Sequence, residues 1–392
     1  MKSLTFCVLL ITSTLSAISL SEVIEKSLIN SPSLESINAK IKANKHASDI
    51  VKLYSNPELS LTKNTIDSSE PMSQTVLTIK QKVPYYGKHD FKQAVTLAEN
   101  EVLKEKLFAA KAMMVQKIKT EAYTIWENRE LYKITNEYIT LTKQNIKLYE
   151  SYTSVEDNQH IVIMKTKLSL ADLEIQKSVL SAKIYASYAK LSYLAAFNIK
   201  NIDINLKIGE KPNLDSFSLG LTNNPELLIK TKELKKENAK IAVADINNYP
   251  DVNLIAGYSY RENFGNYLNF GLALTLPIYG TEDAQEEEVR ATALSVVSQK
   301  EDTKIAISAK LKIYYAQMLS SYQVYHIIQD NALPQIAHMF ELSNSSISTG
   351  GDLFNYIDVL FDKLSLEKKS IIAVGNYNKA NAQISQLAGE IK

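Results

Sequence analysis

The chain has 392 residues, with 44 basic against 43 acidic side chains and a single cysteine. So even a charge excludes the basic stripe of a nucleic-acid binder. Cys7 lies inside the first apolar stretch, which leaves no thiol downstream for a disulfide, a cysteine zinc site, a lipid anchor or a cysteine nucleophile. Residues 1–19 read as a secretory signal: Lys2, an apolar stretch from Leu4 to Ala17, and the small-x-small triplet Ala17-Ile18-Ser19. Beyond it no run of ~18 apolar residues exists, so no hydrophobic helix spans a membrane. An exported chain of this kind is soluble, secreted, or an outer-membrane β-barrel.

After the signal, Ser31 and Pro32 predict a helix N-cap with proline at N1. That helix stops at Asn56-Pro57. Strands are predicted at 59–66 and 73–83, joined by a polar turn at 67–71 and ended by Pro84 and Gly87. From Lys88 to Tyr152 there is neither proline nor glycine, which predicts a helix about 100 Å long at 1.5 Å per residue. A turn at 155–160 and a helix at 161–197 follow, then a linker at 199–219 containing Gly209 and Pro212. The script then runs again. Asn224-Pro225 opens a helix that ends before Tyr249-Pro250, strands follow at 252–261 and 267–276, and Pro277 to Gly280 lead into a helix over 281–348. Gly350-Gly351 break it before a last helix at 353–388.

The proline register makes this a duplication. Pro32 and Pro225, Pro57 and Pro250, and Pro84 and Pro277 share one separation (225 − 32 = 193), and Gly87 and Gly280 share it too. Proline fixes φ and removes a donor, so two halves that keep it in register turn at the same places. The repeats are residues 20–198 and 220–392, around the linker.

The strands alternate. Leu268, Phe270, Leu272, Leu274 and Leu276 share one face, with Asn269, Gly271, Ala273 and Thr275 opposite; Leu77 and Ile79 alternate with Thr78 and Lys80. The same period serves a half-buried strand in a soluble sandwich. Each hairpin here leads into a helix of about 100 Å, which favours a barrel with the apolar face towards lipid. Four strands in one chain leave two open edges, which lipid forbids. Closure then needs a homotrimer, three copies supplying twelve strands. Along the first long helix Leu103, Leu107, Ala110, Met114, Ile118, Ala122 and Ile125 step by about 3.7 residues, closer to a straight tunnel wall than to a left-handed coiled coil.

Chemistry is absent from the pattern. The five histidines have no metal-ligand spacing, and no catalytic triad, phosphate loop or carboxylate pair has a supporting context. No enzyme activity, metal or cofactor is expected. The residues alone leave two readings: a passive exit duct, and a soluble periplasmic coiled-coil protein such as an adaptor. An adaptor carries one helical hairpin, whereas this chain carries two, each with its own strands.

At this point the chain resembles the TolC-like outer-membrane efflux factor family over nearly its whole length. The resemblance rests on Asn56-Pro57-Glu58-Leu59-Ser60, on Gln81-Lys82-Val83-Pro84-Tyr85-Tyr86-Gly87-Lys88 with Leu276-Pro277-Ile278-Tyr279-Gly280, and on Ile357-Asp358-Val359-Leu360. It implies a mainly helical fold with a small transmembrane β part, in which a trimeric twelve-stranded barrel stands on a long helical tunnel. It implies an outer-membrane channel, its tunnel in the periplasm, that passes cargo from an inner-membrane pump (of the RND or another class) and a periplasmic adaptor, in efflux or type I secretion. The compact length, Asn56-Pro57-Glu58-Leu59-Ser60 and Gly87-Lys88 look most like the heavy-metal-efflux branch. The resemblance makes Pro57, Pro84, Gly87, Pro250, Pro277 and Gly280 the barrel-to-helix joints. Asp358 matches the constricting aspartate of the periplasmic gate. Asp352, after Gly350-Gly351, is a second gate candidate with a helix N-cap as the alternative. Phe361 stands where the family commonly has a second aspartate, as a candidate apolar plug.

Overall fold

The computed structural model describes residues 17–391 apart from 65–66, 68, 71, 153–156 and 348–352. The first half runs β1 (Ile18–Ser19), α1 (Leu20–Asn30), α2 (Pro32–Ile50), β2 (Glu58–Lys63), β3 (Thr75–Val83), α3 (Lys88–Tyr152) and α4 (Asp157–Ala195). After β4 (Ile202–Asp203), α5 (Leu214–Leu219) and a 3-10 turn (Gly220–Asn223), the second half runs α6 (Pro225–Asn247), β5 (Val252–Tyr260), β6 (Tyr267–Leu274) and α7 (Thr281–His326). A π-helical segment (Ile327–Ala332), α8 (Leu333–Ile347) and α9 (Leu353–Leu387) complete it. The chain is mainly helical with a small β part. Among the described residues no helix is long and apolar enough to cross a membrane.

Two compact units divide it: residues 1–32, 110–221 and 308–392 form one, residues 33–109 and 222–307 the other. Among its described residues the first has helices and the short β1 and β4, and three apolar clusters hold it. Val115, Ile118, Ala122 and Ile125 form a stripe of α3 at helical spacing and bury against Val23 and Ile24 of α1 and Leu191 and Ala195 of α4. Leu311 and Met318 of α7 bury against Tyr377, Ala380 and Ile384 of α9, with Leu214 and Phe217 of α5 laid over them. Tyr138, Leu173, Leu360 and Leu364 make the third. The Tyr138 hydroxyl donates to Glu367 Oε2 at 2.9 Å, and burial with that acidic partner pushes the phenol well above its usual range.

Three expectations are refined. Residues 199–219, expected as a linker, carry β4 and α5. The strap is bonded down where Tyr377 Oη donates to Glu210 O at 2.7 Å and Asn378 Nδ2 to Lys207 O at 3.0 Å. Ile18 and Ser19, grouped with the signal by sequence, pair in parallel with Ile202 and Asp203. The Ser19 hydroxyl accepts from Glu22 N at 3.2 Å as the N-cap of α1. The rest of the expected signal lies outside the described residues. The expected helix over 281–348 is interrupted. Pro334 has no N–H for the carbonyl one turn back, and its ring crowds that carbonyl. The turn ahead of it widens, with Leu333 N–H donating to Ile328 O across the π segment.

The second unit carries the sheet, with strand order β2-β3-β5-β6, antiparallel throughout. Helices α3 and α6 are laced by ion pairs: Lys236 to Glu99 at 3.1 Å, Lys232 to Glu101 at 3.5 Å and Lys106 to Glu233 at 3.7 Å. α2 is tied to α3 by Asn44 Nδ2 donating to Thr96 O at 2.7 Å.

Ile118 is fully buried in the first cluster. Replacing it by alanine is expected to cost about 2–5 kcal/mol and by valine about 0.5–1.5 kcal/mol, read as a graded fall in the thermal unfolding midpoint.

Candidate functional site

The sheet has two chemically distinct faces, set by strand alternation and register. Leu59 lies opposite Ile79, Ile79 opposite Ala256, and Ala256 opposite Phe270. One step along, Leu61, Leu77, Tyr258 and Leu268 form the next row. Leu254, Leu272 and Leu274 continue the same face, and all of these large side chains are exposed, Phe270 to 81 %. Few soluble surfaces leave so large an apolar patch open. The other face carries Ser60, Thr78, Gly257 and Asn269 in one row and Glu58, Lys80, Ile255 and Gly271 in the next. Asn269 lies flat over Gly257, where a Cβ would collide with its amide oxygen. Both β2 and β6 are edge strands.

The proline–glycine joints sit at the strand ends. Pro57 and Pro250 precede β2 and β5; Pro84 and Pro277 follow β3 and β6. Gly87 and Gly280 take φ of 83° and 72°, left-handed backbone that turns each strand into its long helix and that side chains disfavour. The two α3-side hairpin ends are clasped by one carboxylate. Asp251 Oδ1 accepts from Lys88 Nζ at 2.8 Å and from the Tyr85 backbone N–H at 3.0 Å, while Lys82 Nζ stands 3.1 Å from Oδ2. Buried Lys88 also donates to Tyr249 O at 2.8 Å, and Tyr85 stacks on Tyr249 at 4.7 Å. Burial alone would raise the Asp251 carboxyl. The bonds from Lys88, the Tyr85 N–H and Lys82 outweigh it and hold the group down at about 2. Spacing along the chain offered no sign of this clasp, since Lys88 and Asp251 meet only through the β3–β5 pairing.

At the start of α9, Asp358 is exposed while Tyr356, Ile357, Val359 and Leu360 are buried. Phe361 does not share the Asp358 face; it packs on the cluster of Tyr138, Leu173, Leu360 and Leu364. Asp362, one turn beyond Asp358, is exposed beside it. In sequence Asp362 comes one place after Phe361, and its spacing of four from Asp358 sets the two carboxylates one helical turn apart. Asp352, with the turn it belongs to, lies outside the described residues.

In sequence, no family model and no curated protein matches the chain. In fold the matches are extensive. The chain has the TolC-like fold of bacterial outer-membrane channels. It superposes on the Campylobacter jejuni CmeC outer membrane channel with a TM-score of 0.78 at 13% identity, over 94% of this chain and 85% of that one. The open state of the Neisseria gonorrhoeae MtrE outer membrane channel gives 0.78 at 12% identity, over 94% and 88%. The outer membrane protein VceC of Vibrio cholerae gives 0.77 at 14% identity, over 94% and 96%.

Because Asp251 is held below its ordinary 3.8, the clasp contributes its full stability above about pH 4 and loses it as pH falls towards 2. Asp251→Asn is expected to cost about 1.5–3 kcal/mol at neutral pH, the worth of a hydrogen bond to a charged group. The gap between variant and parent should narrow on acidification, as read by thermal unfolding at pH 7 and pH 3.

Proposed function

We propose that the protein is the outer-membrane channel of a tripartite efflux or secretion system, a passive duct that assembles as a homotrimer. The single observation that carries this is the open-edged, four-stranded sheet with one largely exposed apolar face, joined by left-handed Gly87 to α3, which is 65 residues long, and by left-handed Gly280 to α7. Lipid has no hydrogen bonds to offer a strand edge, so β6 of one copy pairs with β2 of the next until the ring closes. The TolC-like fold supports the same reading.

In this assembly Leu77, Ile79, Leu268, Phe270, Leu272 and Leu274 face outer-membrane lipid, and the row of Thr78, Asn269 and Gly271 faces the lumen. The tunnel stands in the periplasm. The end of α3 and the end of α8 mark its mouth, where a periplasmic adaptor docks and an inner-membrane pump delivers cargo. Threefold symmetry gathers three copies of any inward acidic group. Asp358 and Asp362, one turn apart on an exposed face, form the constriction. Phe361, held among the helices, braces Asp358 rather than plugging the opening. The resemblance to the metal-efflux branch makes heavy-metal cations the first cargo to test.

In mild detergent, light scattering should give the mass of a trimer; a stable monomer would overturn the assembly. Asp358→Ala is expected to raise single-channel conductance in planar bilayers and to weaken block by divalent cations, more so with Asp362→Ala added. Unchanged conductance and block would remove both from the gate. Deletion of the gene should sensitise cells to copper or zinc, whereas new sensitivity to dyes and detergents alone would reassign the cargo.

A further inference from the structure

The two most exposed aromatic side chains near the sheet occupy equivalent places in the two repeats. Tyr86 is 93 % exposed and Tyr279 91 %, and they stand 193 residues apart (279 − 86 = 193). Each falls between the proline that ends a strand, Pro84 or Pro277, and the left-handed glycine that starts a helix, Gly87 or Gly280. Among the described residues neither makes a hydrogen bond, a ring contact or an ion pair. Nothing in the chain's own packing uses them, and the same local backbone leaves both exposed.

The exposure of Tyr86 is the more telling. β3 already has β5 beside it, so Tyr86 is exposed with its lateral neighbour in place. Under the proposed closure, the next copy's β2 takes beside β6 the place that β5 takes beside β3. By the repeat, Tyr279 keeps its exposure in the ring. Both tyrosines also mark where the exposed apolar face stops. Leu272, Leu274, Leu276 and Ile278 are exposed up to Tyr279, and the polar clasp of Lys88 and Asp251 begins next to Tyr86. At the other end of the sheet stand Tyr258, Tyr260 and Tyr267, whose hydroxyls are partly engaged: Tyr258 Oη accepts from Asn266 and Tyr267 Oη donates to Gln74. Strands of eight and nine residues at about 3.3 Å each, tilted as in a barrel, separate the two sets by roughly the ~25 Å of an outer-membrane apolar band.

We propose that Tyr86 and Tyr279 are interfacial anchors that bind the phospholipid of the periplasm-facing leaflet. The ring lies at the acyl boundary and the hydroxyl among the headgroups, so the pair sets the depth of the sheet in the membrane. An amphipathic ring with an apolar body and a polar tip is most stable at that boundary. The inference rests on the barrel reading proposed above and deepens it by naming the lipid contact.

The chain has one tryptophan, Trp126, which simplifies the test. In a Trp126→Phe background, single reporters Tyr86→Trp, Tyr279→Trp and Leu272→Trp are reconstituted into phosphatidylcholine vesicles. The acyl chains carry bromine either near the glycerol end or near the methyl end. Emission from positions 86 and 279 should be lost mainly to the shallow bromines, and that from position 272 mainly to the deep ones. In a Tyr86→Ser, Tyr279→Ser pair, the Leu272→Trp reporter should shift its quenching between the two depths, a movement that a merely local packing role would not produce. Quenching at 272 with none at 86 and 279 would overturn the anchors and leave the barrel standing. An unshifted profile at 272 in the serine pair would overturn their role in setting depth. Absence of quenching at all three positions would overturn the barrel reading and the anchors with it.

Discussion

Every peptide group in a strand carries a donor and an acceptor that must be paired or hydrated, and the second unit leaves two rows of them open. β2 and β6 each offer one unpaired edge, while the face they border is apolar and exposed. Water satisfies the edges but not the face, and lipid satisfies the face but not the edges. In the assembly proposed above, lipid covers the face and another copy pairs the edges, so both are satisfied. Strand number, alternation and the sharp strand-to-helix joints all serve that single requirement. The sheet ends within a few residues of Pro84 and Pro277 because a residue with no N–H cannot extend the ladder.

The duplication explains how one chain meets this requirement twice, and the places where its halves differ are informative. Lys88 is matched by Thr281 and Asp251 by Glu58, so the buried lysine–aspartate clasp exists only where both partners belong to one chain. The equivalent joint in a closed ring would be made between copies, where no such clasp is available. α1 and α5 likewise occupy matching places. α1 packs against α3 and α4 and α5 against α7 and α9, so each repeat keeps its own small clamp. The π segment has no counterpart: its equivalents, Ile134 to Ile139, lie inside unbroken α3. Pro334 is the local cause, because the first repeat has Leu141 at the matching position and keeps every backbone donor.

Much of this was legible in the residues. The prolines at one separation, the glycines that turn strand into helix, and the alternation of Leu268, Phe270, Leu272 and Leu274 with Asn269 and Gly271 are properties of single residues and their nearest neighbours. Backbone sterics and the period of the side chains act within a few positions, so the chain alone determined the repeat, the helical and strand elements, and the two-faced hairpins. What only the tertiary structure decided are matters of partners distant in sequence. Asp251 reaches Lys88 and Lys82 because β3 pairs with β5, which holds the carboxylate charged. Phe361 turns into a cluster with Tyr138 and Leu173 while Asp362 is left beside Asp358, because burial on a helix follows its neighbours and not its motif. The strap over residues 199–219 is ordered by Tyr377 and Asn378, far along the chain. Local geometry is written in each residue's own φ preferences and polarity. The identity of a contact across 160 residues or more depends on the free energy of the whole packed arrangement, and only the folded chain expresses it.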